Sequence, residues 1–214
     1  MIVLTSIICS TRSTGALLRC KDIIKAKNLH IIGIDYNNFY IQAAQQQITQ
    51  HEMTEYISVH ALSIYDDADV QQVITAKGLE NVDSVYFSGS FSLLPDPKGA
   101  LTSILKVLMP KGKVYITQTY QKKYTPLLAQ IKPFLKFITT IDFGRLVTVK
   151  EISELLNNVE GLEVEEHEVM EGSIDTYLQA AYLSVLVRSG SGSGGEVHKI
   201  EKTQAKEGFW ANLF

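Results

Sequence analysis

The sequence predicts an α/β domain, a mostly parallel sheet with helices on both faces. Three observations carry this. Ile31-Ile32-Gly33-Ile34-Asp35-Tyr36-Asn37 is a short apolar run that ends in an acid and polar turn residues, the pattern of a buried strand. Ahead of it, Ile2 to Ile8 reads as another buried strand, Cys9 to Gly15 as a small-residue polar turn, and Ala16 to Ala26 as a helix with apolar residues at 17, 18, 23 and 24. That is a β-α-β unit, which requires parallel strands and a right-handed crossover. Behind it, strand and helix patterns alternate to Val187, as expected of a sheet layered between helices.

The remaining elements follow in order. Asn37 or Asn38 caps a helix running from Phe39 to Gln50, and Tyr56 to Ala61 is a third strand. Asp69 to Lys77 is a short helix ended by Gly78 in the C′ position. Val82 to Phe87 is a fourth strand, and Ser88 to Pro97 is a loop. Gly99 to Leu108 is a helix with apolar residues at 101, 104, 105 and 108, closed by Pro110-Lys111-Gly112. Val114 to Thr119 is a fifth strand, and Pro126 to Phe137 is a helix kinked or ended by Pro133. Thr148 to Asn157 is a helix whose Thr148 and Glu151 form a capping box. Leu162 to Val169 and Tyr182 to Val187 are the last strands, the acids from Glu163 to Glu171 marking an exposed face.

The 214 residues, 45% hydrophobic and 20% charged, suffice for one full core plus an appendage. A net charge of −3 advertises neither nucleic acid nor an anionic membrane as partner. Cys9 and Cys20 form no CxxC pair and no zinc set, so they read as reduced thiols of an intracellular protein, cytoplasmic or in an organelle matrix. No apolar run approaches the ~20 residues of a membrane span. Residues 2–8 lack the basic flank and cleavage site of a signal peptide. His51 and His60 have no ligand partner at metal spacing and read as structural, and no metal site is expected. Asp66, Asp67 and Asp69 read as a solvated loop. No G-x-S-x-G elbow exists, which argues against a hydrolase. Tyr120, Tyr124 and Tyr177 are candidates for lining a substrate mouth.

The division expected is a domain over 1–188, a Gly/Ser linker over 189–195 and a tail over 196–214. The tail carries the only Trp, within Phe209-Trp210-Ala211-Asn212-Leu213-Phe214. Phe209, Trp210, Leu213 and Phe214 are costly to leave in water. They either fold back on an apolar groove of their own domain or anchor in a protein partner.

An acid closing the second strand is where a doubly wound domain holds a nucleotide ribose. The interval from Gly15 to Asp35, 35 − 15 = 20 positions, fits that arrangement. Taken together, four stretches resemble the class I S-adenosylmethionine-dependent methyltransferases. Ser13-Thr14-Gly15-Ala16-Leu17-Leu18 resembles the end of their glycine-rich first loop. Gly33-Ile34-Asp35 resembles the acidic end of their second strand. Val85 to Pro97 resembles their fourth strand and substrate-side loop. Ala100 to Ile116, with Leu108, Pro110, Gly112 and Val114-Tyr115-Ile116, resembles their most specific segment.

The resemblance implies a Rossmann-like, seven-stranded sheet in the order 3-2-1-4-5-7-6 with an antiparallel seventh strand. It implies S-adenosylmethionine as cofactor, held by Thr11, Ser13, Gly15, Asp35, Tyr36, Ile64 and Ser88, with Ile64 and Tyr65 at the adenine and residues 88–91 facing the acceptor. The carboxylate of Asp35 would accept charge-assisted hydrogen bonds from the ribose diol. The chain departs from the family in its first loop, where Cys9, Thr11 and Ser13 stand in place of glycines and an acid. The helix or two that usually precede the first strand are also absent ahead of Ile2, so another chain covers the pocket or it stays open. The loop after strand four lacks the [DN]PP[YF] of nucleic-acid amino-methylating enzymes. Two readings follow: methyl transfer to a small molecule or protein, or a catalytically silent subunit of a larger complex, a pseudoenzyme. A nicotinamide dehydrogenase is disfavoured because G-x-G-x-x-G is absent.

Overall fold

The computed structural model describes residues 4–9, 14–122 and 147–190. Its strands are β1 (Leu4–Cys9), β2 (Leu29–Asp35), β3 (Ile57–Ala61), β4 (Val82–Ser88), β5 (Leu108–Gln121), β6 (Leu162–Val169) and β7 (Gln179–Arg188). Its helices are α1 (Thr14–Arg19), α2 (Lys21–Ala26), α3 (Asn38–Gln50), α4 (Asp67–Ala76), α5 (Pro97–Val107) and α6 (Val149–Asn157). The strands make one seven-stranded sheet in the order β3-β2-β1-β4-β5-β7-β6, as the resemblance implied. β7 runs antiparallel to both β5 and β6, and the other pairings are parallel.

Two cores flank the sheet. The larger joins Ile7, Ile32, Val85, Phe87, Val114, Ile116 and Leu186 of the strands to Val70 and Ile74 of α4, Leu101 and Ile104 of α5, and Ile152 and Leu156 of α6. The smaller packs Leu18, Ile24 and Ile48 of α1–α3 on Ile8, Ile31 and Ile57 of β1–β3. Strand residues alternate between the two faces, which is why β1 supplies Ile7 to one core and Ile8 to the other.

Local chemistry explains most element ends. The Asn37 side chain accepts from the Phe39 amide at 3.0 Å and caps α3. Thr148 and Glu151 complete the reciprocal capping box of α6. Gly78 follows α4 with φ +74°, the left-handed C′ conformation. Asp66 caps α4, and Asp67 in its first turn pairs with Lys106, so this acidic cluster is a helix start and not a loop. Both cysteines are buried, and neither is in a disulfide.

Three expectations shift. The helix predicted over 16–26 breaks at Cys20, whose amide bonds to the Leu17 carbonyl three residues back, turning the chain so that Leu18, Cys20 and Ile24 all reach the same core. Pro110-Lys111-Gly112 lies inside the long β5 and not in a turn before it. Between the pairs Val82↔Leu108 and Ser84↔Lys113, β4 advances 84 − 82 = 2 residues and β5 advances 113 − 108 = 5, so three residues bulge outward. Gly112 permits this close approach, because a Cβ there would stand 2.6 Å from a Leu108 methyl and 2.9 Å from the Asp83 carbonyl. Tyr120 is core, 1% exposed, and lines no mouth. The helix predicted over 126–137, Tyr124 and the tail 196–214 lie outside the described residues.

Candidate functional site

The sheet places the candidate residues along its carboxyl edge. Cys9, the last residue of β1, stands level with Ile34 of β2 on one side and Phe87 of β4 on the other. One residue further, Asp35 ends β2 opposite Ala61, and Ser88 ends β4 opposite Thr117. The strand order reverses at β1, between the β2 side and the β4 side, and such a switch point opens a crevice at the carboxyl ends. Asp35 and Ser88 flank that crevice.

Asp35 is half-buried, and its Oδ1 accepts the Asn37 amide at 2.9 Å. This turn leads into α3. An ionised carboxylate has two acceptor oxygens, each with room for more than one donor. The Cys9 thiol is pushed far up, first by burial and then by the neighbouring Asp35 carboxylate. It stays a neutral thiol and supplies no nucleophile. The register, with Cys9 level with Ile34, sets Asp35 one residue beyond the end of β1.

Gly15 is the second residue of α1, without a left-handed backbone. A Cβ there would meet no described atom within 4 Å. Gly15 is exposed, so this side of the start of α1 faces solvent as far as the described residues go. Tyr36 projects beside Asp35 with 85% exposure, whereas Ile64 is a core residue, 7% exposed, beneath the loop after β3. Thr11 and Ser13 lie outside the described residues.

The loop after β4 is held by contacts that no sequence pattern announces. The Ser90 hydroxyl donates to the Cys9 carbonyl at 2.6 Å. Gly89 adopts φ +64° and donates its amide to the Thr117 carbonyl at 2.8 Å. Phe91 is buried edge-on against Phe87, with ring centroids 5.2 Å apart. Further out, the Tyr65 hydroxyl donates to the Asp96 carbonyl at 3.0 Å and accepts from the Asp96 amide at 3.1 Å, so the loops after β3 and β4 are joined. Asp96 in turn caps α5 through the Gly99 amide at 2.9 Å. The Gly89–Thr117, Tyr65–Asp96 and Ser90–Cys9 pairs lie 117 − 89 = 28, 31 and 81 positions apart in sequence, and only the fold brings them together.

Exposed apolar side chains ring this edge. Tyr36, Phe39, Tyr65 and Leu93 follow β2, β3 and β4, and Ile174, Tyr177 and Leu178 lie between β6 and β7. Among the described residues no cluster of His, Cys, Asp and Glu could hold a metal ion. His60 contacts Ser58 and has no ligating neighbour. No helix among the described residues is long and apolar enough to cross a membrane.

Residues 16–182 match the sequence profile of a methyltransferase domain family. The chain belongs to that family. This methyltransferase-domain protein matches no functionally curated sequence. Its fold is shared with a SAM-dependent methyltransferase from Aquifex aeolicus, at 13% identity over 86% of this chain and 82% of that one, with a TM-score of 0.57. It is shared as well with geranyl diphosphate C-methyltransferase from Streptomyces coelicolor A3(2), solved with Mg2+, geranyl diphosphate and S-adenosyl-L-homocysteine. There the identity is 8% over 86% of this chain and 73% of that one, with a TM-score of 0.61. The methyltransferase-domain protein thus has the fold of these structures, with an acid, Asp35, at the end of β2.

Proposed function

We propose that the chain binds S-adenosylmethionine in the crevice between β1, β2 and β4 and transfers its methyl group to a small molecule or protein. The observation that carries this is the place of Asp35. Its carboxylate ends β2 beside the switch point, one residue beyond the level of Cys9. A carboxylate there suits a vicinal diol, which offers two donors to an acceptor-only group. The cofactor would supply an electrophilic methyl on a sulfonium. The chain's own residues would hold it and shape the acceptor side.

Asp35 would bind the ribose and the α1 start would receive the amino-acid portion. The loop 88–91, held by Ser90 and Gly89, would form the floor on which an acceptor is positioned. Methyl transfer asks chiefly for alignment of donor and acceptor, so a rigid floor matters more than a covalent catalyst. The apolar ring of Tyr36, Tyr65, Leu93 and Tyr177 supports an acceptor with an apolar surface.

Calorimetric titration with S-adenosylhomocysteine tests the reading. Micromolar binding, about −8 kcal/mol, abolished in Asp35→Ala, is the expected result. Absence of heat at millimolar ligand would leave the catalytically silent subunit as the better reading, which the single glycine of residues 9–15 supports.

A further inference from the structure

We propose that the C-terminal segment 196–214 packs on the outer face of β4, β5 and β7, with Phe209, Trp210, Leu213 and Phe214 as its anchors. The sheet's two faces are covered unequally. On the larger core's face, α4, α5 and α6 cover the strands. On the other, α1–α3 pack with β1–β3, and Tyr86 is the only β4 side chain that joins them.

Beyond Tyr86 that second face continues through Tyr115 of β5 and Val185 of β7, which stand in register with one another. Thr117 and Leu183 form the next row, and Lys113 and Val187 the row before. Leu183 is 7% exposed and Val185 is 4% exposed, yet neither joins either core among the described residues. Two large apolar side chains buried without a described covering helix call for a further layer.

The tail fits that layer in three respects. First, the pattern is right: Phe209, Trp210, Leu213 and Phe214 recur at i, i+1, i+4 and i+5, which places them on one side of a helix. Second, the reach is right. β7 ends at Arg188 beside this strip, and 209 − 190 = 19 positions separate Gly190 from Phe209. A flexible chain of that length spans roughly 24 Å. The strip is about two strand spacings wide, ~10 Å, and about 23 Å along β5. Third, the charges do not oppose it: Glu166 and Glu168 of β6 and Lys113 of β5 border the strip, and within the tail Lys199, Lys202 and Lys206 balance Glu196, Glu201 and Glu207. Residues 123–146 are the competing cover, but the chain on either side of them, at Tyr120 and Val147, belongs to the opposite core. The tether also raises the tail's effective concentration at its own domain above that of most partners.

Trp210 is the only tryptophan, so its emission reads the tail alone. In the full chain at low concentration, emission blue-shifted from that of indole in water, acrylamide quenching reduced several-fold and no change on hundred-fold dilution are expected. The full-chain variant Leu213→Asp/Phe214→Asp should shift the emission back to the red and speed hydrogen exchange along β5 and β7, with circular dichroism unchanged. Solvent-like emission in the unaltered chain would overturn the proposal and leave the tail to a separate partner. Emission that turns solvent-like on dilution would overturn it in favour of a second copy. Unchanged exchange along β5 and β7 in the variant would overturn it in favour of a different surface.

Discussion

The Ser90 hydroxyl and the Cys9 carbonyl meet at 2.6 Å across 81 residues of sequence, which ties the loop after β4 to the last residue of β1. This bond lies at the point where the strand order reverses. Ser90→Ala removes it. A part-buried hydrogen bond of this kind contributes about 1 kcal/mol, and its loss should appear as a lower urea midpoint at constant m. S-adenosylhomocysteine affinity should fall several-fold as the loop loosens. An unchanged midpoint would show that Gly89 and Phe91 hold the loop by themselves.

Asp35 has two roles that substitution can separate. Its Oδ1 accepts the Asn37 amide at 2.9 Å, which an asparagine oxygen can also do. Its charge is what a ribose diol would exploit. Asp35→Asn should therefore keep the stability of the parent chain while weakening S-adenosylhomocysteine about tenfold, ~1.4 kcal/mol. Asp35→Ala should lose both. Calorimetry and thermal melts on the two variants distinguish these outcomes, and equal binding by Asp35→Asn would remove Asp35's charge from the site.

Gly112 sits where β5 bulges against β4. A Cβ would press on the Leu108 side chain at 2.6 Å and on the Asp83 carbonyl at 2.9 Å, and the latter is backbone that cannot swing aside. Gly112→Ala should destabilise the chain by about 1–3 kcal/mol, the usual cost of overpacking. A denaturant titration reads it directly, and a neutral result would mean that the bulge is pliant.

His167 contributes a pH dependence. Its Nδ1 lies 2.8 Å from the Ser184 hydroxyl, its Nε2 is buried without a partner among the described residues, and its ring stacks on Tyr182. Burial holds its pKa below the ordinary 6.5. The unfolded chain then takes up the proton first, so stability is highest above about pH 6.5 and declines as pH falls from there through the folded-state value. His60, lowered by burial and then by Lys77, acts in the same direction. Thermal melts between pH 7.5 and pH 5 should show a shallower decline in His167→Gln than in the parent, with a further flattening when His60→Gln is added.

Much of the fold was legible because it rests on local chemistry. The Asn37 cap, the Thr148–Glu151 box and Gly78 each act over a few residues, and each stands where the pattern placed it. The break at Cys20 was not legible, because a run of apolar residues at helical spacing is equally served by one helix or by two that share a core. Nor was the bulge at Gly112, whose cause is the Asp83 carbonyl on another strand. At the site, Asp35 could be singled out because an acid after an apolar strand is a signal in itself. Ser90 could not, since serine is common in loops and its partner lies 81 positions away.

By itself, then, the sequence determined the alternation of strands and helices, the strand order implied by its family likeness and the acid at the end of β2. The alternation and the acid follow from periodicity and composition, which act along the chain, whereas the order came only with the family likeness. The tertiary structure alone decided that Ser90 latches onto Cys9, that Tyr120 is core and that Leu183 and Val185 are buried outside both described cores. Those depend on which residues meet across the sheet, and contacts between distant positions leave no local pattern to read.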